Sequence, residues 1–266
     1  MFNSEDCRTI KKAFFLLEKK LLQAQLPDGT WQGYLASSAV STAVAALALS
    51  LSRKDSDRVA LAINWLTENM NSDGGWGDTP GSPSNLSAVL LARAALTYAG
   101  LEKNIVKQAL HRSRNWLQTK ISGESASELI NSVLKFYGRD RTFSVPIITV
   151  CLLSGSFGKD RNTWRGVPRL PFEAAVLPDK IYHLLQLPVV SYALPALIAV
   201  GIAQFKHCPA EFPLIKFIRK MALRPALKKL RSLLPGNGGF LEAAPLTGFV
   251  AFCLGRSGYK KHFVVR

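Results

Sequence analysis

Two stretches of this chain end the same way. "LLQAQLPDGTW" closes at Trp31 and "LTENMNSDGGW" closes at Trp76, 45 residues later. In both, an apolar helical run passes through Asp-Gly into a tryptophan. Phe14, Phe15, Leu17, Leu21 and Leu22 precede the first joint; Ala62, Ile63, Trp65 and Leu66 precede the second. Glycine supplies the positive φ of a tight turn. The tryptophan can cover the end of the helix it follows, burying much area at low entropic cost. A helix-ending joint that recurs at this period marks a helical repeat. A looser copy, "LRSLLPGNGGF", puts Phe240 in the tryptophan place. A helix of small residues follows each joint, at 37–51, 84–100 and 244–258, with Gly100 and Gly258 as C-terminal caps. The stretch 104–137 reads as two further helices broken near Ser122-Gly123. Period-two alternation is nearly absent, so the chain reads as all-α. Each repeat leaves one apolar face uncovered, and such repeats must stack or close into a ring.

The middle of the chain departs from this pattern. Phe143 to Gly158 is apolar with one proline; then Pro168, Pro171 and Pro178 fall too close together for one continuous helix. Ile181 to Phe205 contains no Lys, Arg, Asp or Glu. That length matches a bilayer span, but Pro188 and Pro195 interrupt it, and a buried core helix or an interfacial membrane segment reads alike. Behind it, Lys206, Lys216, Arg219, Lys220, Arg224, Lys228, Lys229 and Arg231 face a single acid, Glu211. A basic helix beside an apolar surface suits an anionic membrane; a solvated helix face has the same composition. The formal net charge of +16, from 34 Lys plus Arg against 18 Asp plus Glu, likewise favours anionic partners.

Several chemistries find no support. Cys7, Cys151, Cys208 and Cys253 are far apart and form no CxxC, which argues against a disulfide framework or a zinc site. His111, His183, His207 and His262 lack metal-ligand spacing, so no metal and no cofactor is expected. No GxxxxGK[ST] loop occurs, and the basic run lacks the modules that accompany nucleic-acid binding. "MFNSEDCRTIKKAFF" places acids before bases and does not read as a signal peptide. Asp28 and Asp73 sit before glycine, where Asp bonds its own backbone. Glu173 follows Pro171 at a helix start, where a carboxylate complements the dipole. The residues by themselves offer no catalytic constellation.

In combination, however, they resemble a family. Gln25-x3-Gly29-x-Trp31 is similar to the QW motif of squalene and other triterpene cyclases; the second copy keeps Gly74 and Trp76 but has Met70 in the glutamine place. "WRGVPRLPFEAAVLP" follows that family's pattern through Trp164, Pro168, Pro171, Glu173, Leu177 and Pro178, and "VSYALPALIAV" resembles the helix after it, with Ala193 replacing tryptophan. The resemblance runs over nearly the whole chain but matches only the N-terminal part of such enzymes.

It implies an α/α barrel, or toroid, of helical hairpins with QW-type turns. The barrel is expected to be incomplete: residues 1–266 form one N-terminal portion, and 1–35 fit either it or a second barrel. It further implies squalene or a related polyisoprenoid as ligand, cyclisation to hopanoid- or sterol-like products, and a peripheral, monotopic place on the cytoplasmic side of a membrane through 170–205. Trp164 would line the apolar pocket. The family's acid, a DxDD motif, does not occur here. The resemblance therefore implies a partner chain carrying the catalytic aspartates, with the isolated chain inactive. The alternative is a non-catalytic polyisoprenoid-binding or scaffold protein. Nucleic acid is not an expected partner.

Overall fold

The computed structural model describes residues 4–33, 35–99, 103–123, 125–158, 160–177, 193–236 and 238–265. Among these residues every regular element is helical, and the single pair of bridged residues, Gln25 and Trp31, lies inside the first joint. The all-α expectation holds.

The chain divides into two compact units, Met1–Ala36 and Ser37–Arg266. The first holds α1 (Ser4–Gln23) and the joint that ends at Trp31. Its acids Glu5 and Asp6 lie in the first turn and Lys20 in the last, the arrangement the helix dipole favours. Ile10, Phe14, Phe15, Leu16, Leu17, Leu21 and Leu22 are all exposed on it.

The second unit contains nine α-helices among its described residues: α2 (Ala39–Leu49), α3 (Ser56–Glu68), α4 (Leu86–Ala99), α5 (Asn104–Gln118), α6 (Ala126–Tyr137), α7 (Arg141–Ser154), α8 (Leu194–His207), α9 (Pro213–Ser232) and α10 (Ala244–Leu254). Their contacts separate two kinds of helix. α2 touches α4, α4 touches α7, α7 touches α8, α8 touches α10, and α10 returns to α2. These five carry mostly apolar or small residues. In α7 all residues from Ser144 to Ser154 are buried, and in α8 all from Ile198 to Phe205. A helix apolar all round belongs inside.

The others lie outside this circuit and are one-sided: α3 against α2, α5 against α4, α6 against α7, α9 against α8. α5 buries Val106, Ala109, Ser113, Trp116 and Leu117, spaced three or four apart, and exposes the residues between. Inner helices in a circuit with outer partners form an α/α barrel.

Local signals stop and start these helices. Ser125 and Glu128 exchange hydrogen bonds in a capping box at the start of α6. Asp140 Oδ1 accepts from the Thr142 N–H at the start of α7. The C-cap of α10 is Gly255, and Gly258, with φ 93°, lies in the turn that follows; Gly100 lies outside the described residues. The break expected near Ser122-Gly123 separates α5 from α6. The small residues of the inner helices serve close approach: a Cβ on Gly248 of α10 would stand 2.7 Å from Val44 Cγ1 on α2.

Candidate functional site

The two joints close by the same bonds. Trp31 Nε1 donates to the Leu21 carbonyl at 2.6 Å; Trp76 Nε1 donates to the Leu66 carbonyl at 2.7 Å. Both span ten residues, so each indole is latched to the last turns of the helix before it. Gly29 has φ 84° and Gly74 has φ 86°. Asp28 Oδ1 accepts from the Thr30 N–H and Asp73 Oδ1 from the Gly75 N–H, each at 2.9 Å. Leu26 N–H meets the Thr30 carbonyl where Asn71 N–H meets that of Gly75. Gln25 adds a bond from Nε2 to the Gly29 carbonyl, which Met70 has no donor to copy.

Their surroundings differ. Trp31 is 47% exposed and Trp76 is 1% exposed. Around the second joint, Asp73 Oδ2 accepts from Trp116 Nε1 on α5, and its Oδ1 from the Ser84 hydroxyl. Arg112 Nη2 donates to the Asn71 and Ser72 carbonyls. Burial tends to raise the Asp73 carboxyl, but the bonds from Gly75, Ser84 and Trp116 outweigh it and hold the group below its ordinary value. The Asp28 carboxyl is lowered too, by the Thr30 hydroxyl and N–H. Both acids are structural anchors, as expected, and both stay ionised near neutral pH.

The proline-rich segment forms two short 3-10 turns, Arg161–Gly166 and Phe172–Val176. Gln204 of α8 fastens the stretch between them: its Oε1 accepts from the Leu170 N–H and its Nε2 donates to the Pro168 carbonyl, both at 2.9 Å. Trp164 is buried, 7% exposed, and its ring stacks on His207 at 4.8 Å with 8° between planes. A flat, buried indole against an imidazole is a suitable neighbour for positive charge.

Glu173 does more than complement a dipole. Its Oε1 accepts from Arg219 Nε of α9 at 2.9 Å, and Arg219 Nη2 donates to the Leu170 carbonyl. Arg219 is 4% exposed and its guanidinium stands 5.6 Å from the centre of the buried Phe172 ring. The basic run therefore corrects in one place: Arg219 belongs to the core, not to a solvated or membrane-facing surface. A signal for this lies in the sequence. Arg219 shares a helix face with Ala222, Ala226 and Leu230, all buried. Glu173 Oε2 and Arg219 Nη1 are buried without hydrogen-bond partners among the described residues.

An exposed apolar surface lies at the start of α9, beyond 170–205. The described part of 170–205 is largely core; residues 178–192, including His183, Pro188 and the Ser-Tyr pair before Ala193, lie outside the described residues. No helix among the described residues is long and apolar enough to cross a membrane. Instead Phe212, Leu214, Ile215, Phe217, Ile218 and Met221, on and just before the first half of α9, are 45–64% exposed. Lys216, Lys220 and Arg224 are exposed among them. Six large apolar side chains in ten residues form a contiguous exposed patch, which marks an interaction surface.

No metal-binding cluster occurs among the described residues. Burial pushes the Cys151 and Cys253 thiols up to about 12, so both remain protonated.

The architecture is thus an α/α barrel of helical hairpins latched by QW-type joints, with a proline-rich segment clamped on an inner helix. The sequence profile of one family, described as the squalene-hopene cyclase N-terminal domain, matches residues 16–154. The match takes in both joints and α2 through α7, more than half of the chain, and the chain belongs to that family. Curated proteins yield no match.

Proposed function

We propose that this protein is a polyisoprenoid-handling cyclase barrel that docks on the cytoplasmic surface of a membrane. Its ligand is squalene or a related polyene, and its aspartate acid comes from a partner chain. Family membership supports the ligand class. The observation that carries the docking is the exposed apolar patch at Phe212–Met221 with lysines set among it. An apolar helix face flanked by basic residues binds an anionic interface by burial and by charge together. A peripheral mode suits a polyene that dissolves in the bilayer. Trp164, flat and buried beside the proline-rich segment, is the residue proposed to face a developing carbocation.

The partner is proposed on chemical grounds. Protonating an alkene needs a strong, neutral acid in a dry site. Asp28 and Asp73 are held ionised by hydrogen bonds, and Glu173 is paired with Arg219. Residues 1–36, a separate unit with an exposed apolar helix, are the proposed contact with that partner's barrel. The same commitment of the acids favours a second reading, a barrel that binds polyisoprenoid without turning it over.

Sedimentation with vesicles of anionic phospholipid tests the docking. The protein should pellet with them at low salt, and high salt should weaken but not abolish this. Phe217→Ser with Met221→Ser should weaken it about tenfold or more, since each removes a large exposed apolar group. Protein left in the supernatant at low salt overturns the reading. Incubation with squalene and oxidosqualene, followed by mass spectrometry, separates the rest. Cyclic product only with a DxDD-bearing partner supports the enzyme; none even then supports the binder.

A further inference from the structure

A cavity of about 380 Å³ opens among α4, α5, α6 and the segment after α7. Arg93 lines it. This arginine sits on α4, whose other neighbours in sequence, Leu91, Ala92, Ala94 and Ala95, are buried apolar residues. An arginine there requires an explanation. Its Nη1 donates to the Leu110 carbonyl at 2.6 Å and to the Ser113 hydroxyl oxygen at 2.7 Å. Both acceptors are neutral. Arg114 lines the same cavity, and neither arginine is in an ion pair with a carboxylate among the described residues.

Burial draws the Arg93 guanidinium below its ordinary pKa, and the like charge of Arg114 pulls the same way. Arginine nonetheless keeps its proton. A largely buried cation held only by neutral acceptors is under-compensated.

A third polar group lines the same cavity. Thr163 is 5% exposed there. Asp160 lies on the wall as well, but its Oδ1 is engaged by the Asn162 N–H, capping the turn Arg161–Gly166. The rest of the wall carries the apolar Leu117, Ile121 and Phe157 together with the polar Gln118 and Ser156. Two guanidinium groups and a hydroxyl beside apolar side chains match one ligand chemistry. We infer that this cavity binds a phosphate or diphosphate monoester, its oxyanion on Arg93, Arg114 and Thr163 and its apolar chain on Leu117, Ile121 and Phe157. Arginine forks suit phosphate oxygens because several N–H groups converge on one anion. The site is independent of the membrane reading.

Isothermal titration of the full chain provides the test. The probes are inorganic pyrophosphate, geranyl diphosphate and short-chain phosphatidic acid below its micelle concentration, with geraniol as the uncharged control. Geranyl diphosphate or the lipid phosphate should saturate at one site more tightly than pyrophosphate, and geraniol should not bind. The tighter of the two names the source, soluble prenyl ester or lipid headgroup.

Arg114→Gln, on an exposed side chain, should weaken binding about tenfold without shifting the melt, the usual size for one charged hydrogen bond. Thr163→Val should weaken it by a smaller factor. Asp160→Asn, which keeps the cap and removes the opposing charge among the described lining residues, should tighten it several-fold. Arg93→Gln should abolish binding; if it does not fold, the other three variants decide. No saturation at millimolar probe, or equal affinity in Arg114→Gln, Thr163→Val and Asp160→Asn, overturns the site. Equal affinity would place the anions elsewhere on a chain of net charge +16.

Discussion

The joint at Trp31 and the joint at Trp76 share a backbone turn, a capping aspartate, a positive-φ glycine and an indole latch, yet one is half exposed and the other sealed in the core. The shared part is local. It spans eleven residues and needs no other element of the chain. What differs is supplied from outside: Trp116 and Arg112 from α5, and Ser84 from the start of the next repeat. The comparison separates what a repeat carries within itself from what stacking adds. The turn forms alone, and burial of its tryptophan requires a neighbouring repeat.

The strongest way to break this comparison is to remove both rings. Trp76→Ala should destabilise the second unit by about 3–5 kcal/mol, the usual cost of emptying a large buried aromatic site. Trp31→Ala should leave the main thermal transition within about 0.5 kcal/mol, as at other exposed positions. Equal shifts in calorimetry would mean that the exposed joint is as deeply packed as the buried one.

The glycines sharpen the point, because their backbone strain is equal and their surroundings are not. An alanine at either position adopts an unfavourable left-handed conformation, at about 1 kcal/mol. At Gly29 its Cβ would meet nothing nearer than Gln25 Nε2 at 4.0 Å. At Gly74 it would stand 2.9 Å from the Arg112 carbonyl oxygen, a backbone atom that cannot swing aside. Gly74→Ala should therefore cost about 2–3 kcal/mol, strain and overpacking together. Denaturant titration reads it on the second unit, and a cost at Gly74 no larger than local strain would show that α5 can yield.

This contrast also explains what the sequence disclosed. The joints were legible because Asp-Gly and tryptophan act over a few residues, and the helices around them followed from period and caps. The partners Asp73 and Trp116 lie 43 residues apart, and nothing in either local pattern announces the bond. Arg219 was counted with the exposed basic residues because composition records charge without direction. Only its register with Ala222, Ala226 and Leu230 places it inward. The apolar run through α8 fits a core helix and a membrane surface equally, and the difference is made by the helices on either side of it in the circuit. The Arg93 cavity has no local signature, since α4, α5 and the segment after α7 meet there only on folding.

The smallest contrast lies between the aspartates. Asp28 and Asp73 are both held below the ordinary carboxylate value, so each folded form binds its proton less readily than the unfolded chain. A group depressed in this way contributes stability above its unfolded pKa and loses it as the pH falls through the folded one. For Asp73 the anion is stabilised by Gly75, Ser84 and Trp116, the last on another helix, so its ionisation bears on packing. For Asp28 the partners are both within Thr30, and the side chain is exposed. Asp73→Asn should cost about 1 kcal/mol near neutral pH, a modest figure because the carboxylate is partly solvated and screened. That cost should vanish as the pH drops below the carboxylate range, where the wild-type group is itself protonated. Asp28→Asn should leave the main transition unchanged at every pH. The measurement is a series of thermal melts of the three proteins from neutral to acid pH. A gap between wild type and Asp73→Asn that stays constant into acid would show that the lost bonds are structural rather than ionic. A gap of the same size for Asp28→Asn would show that the first joint is coupled to the packed core after all.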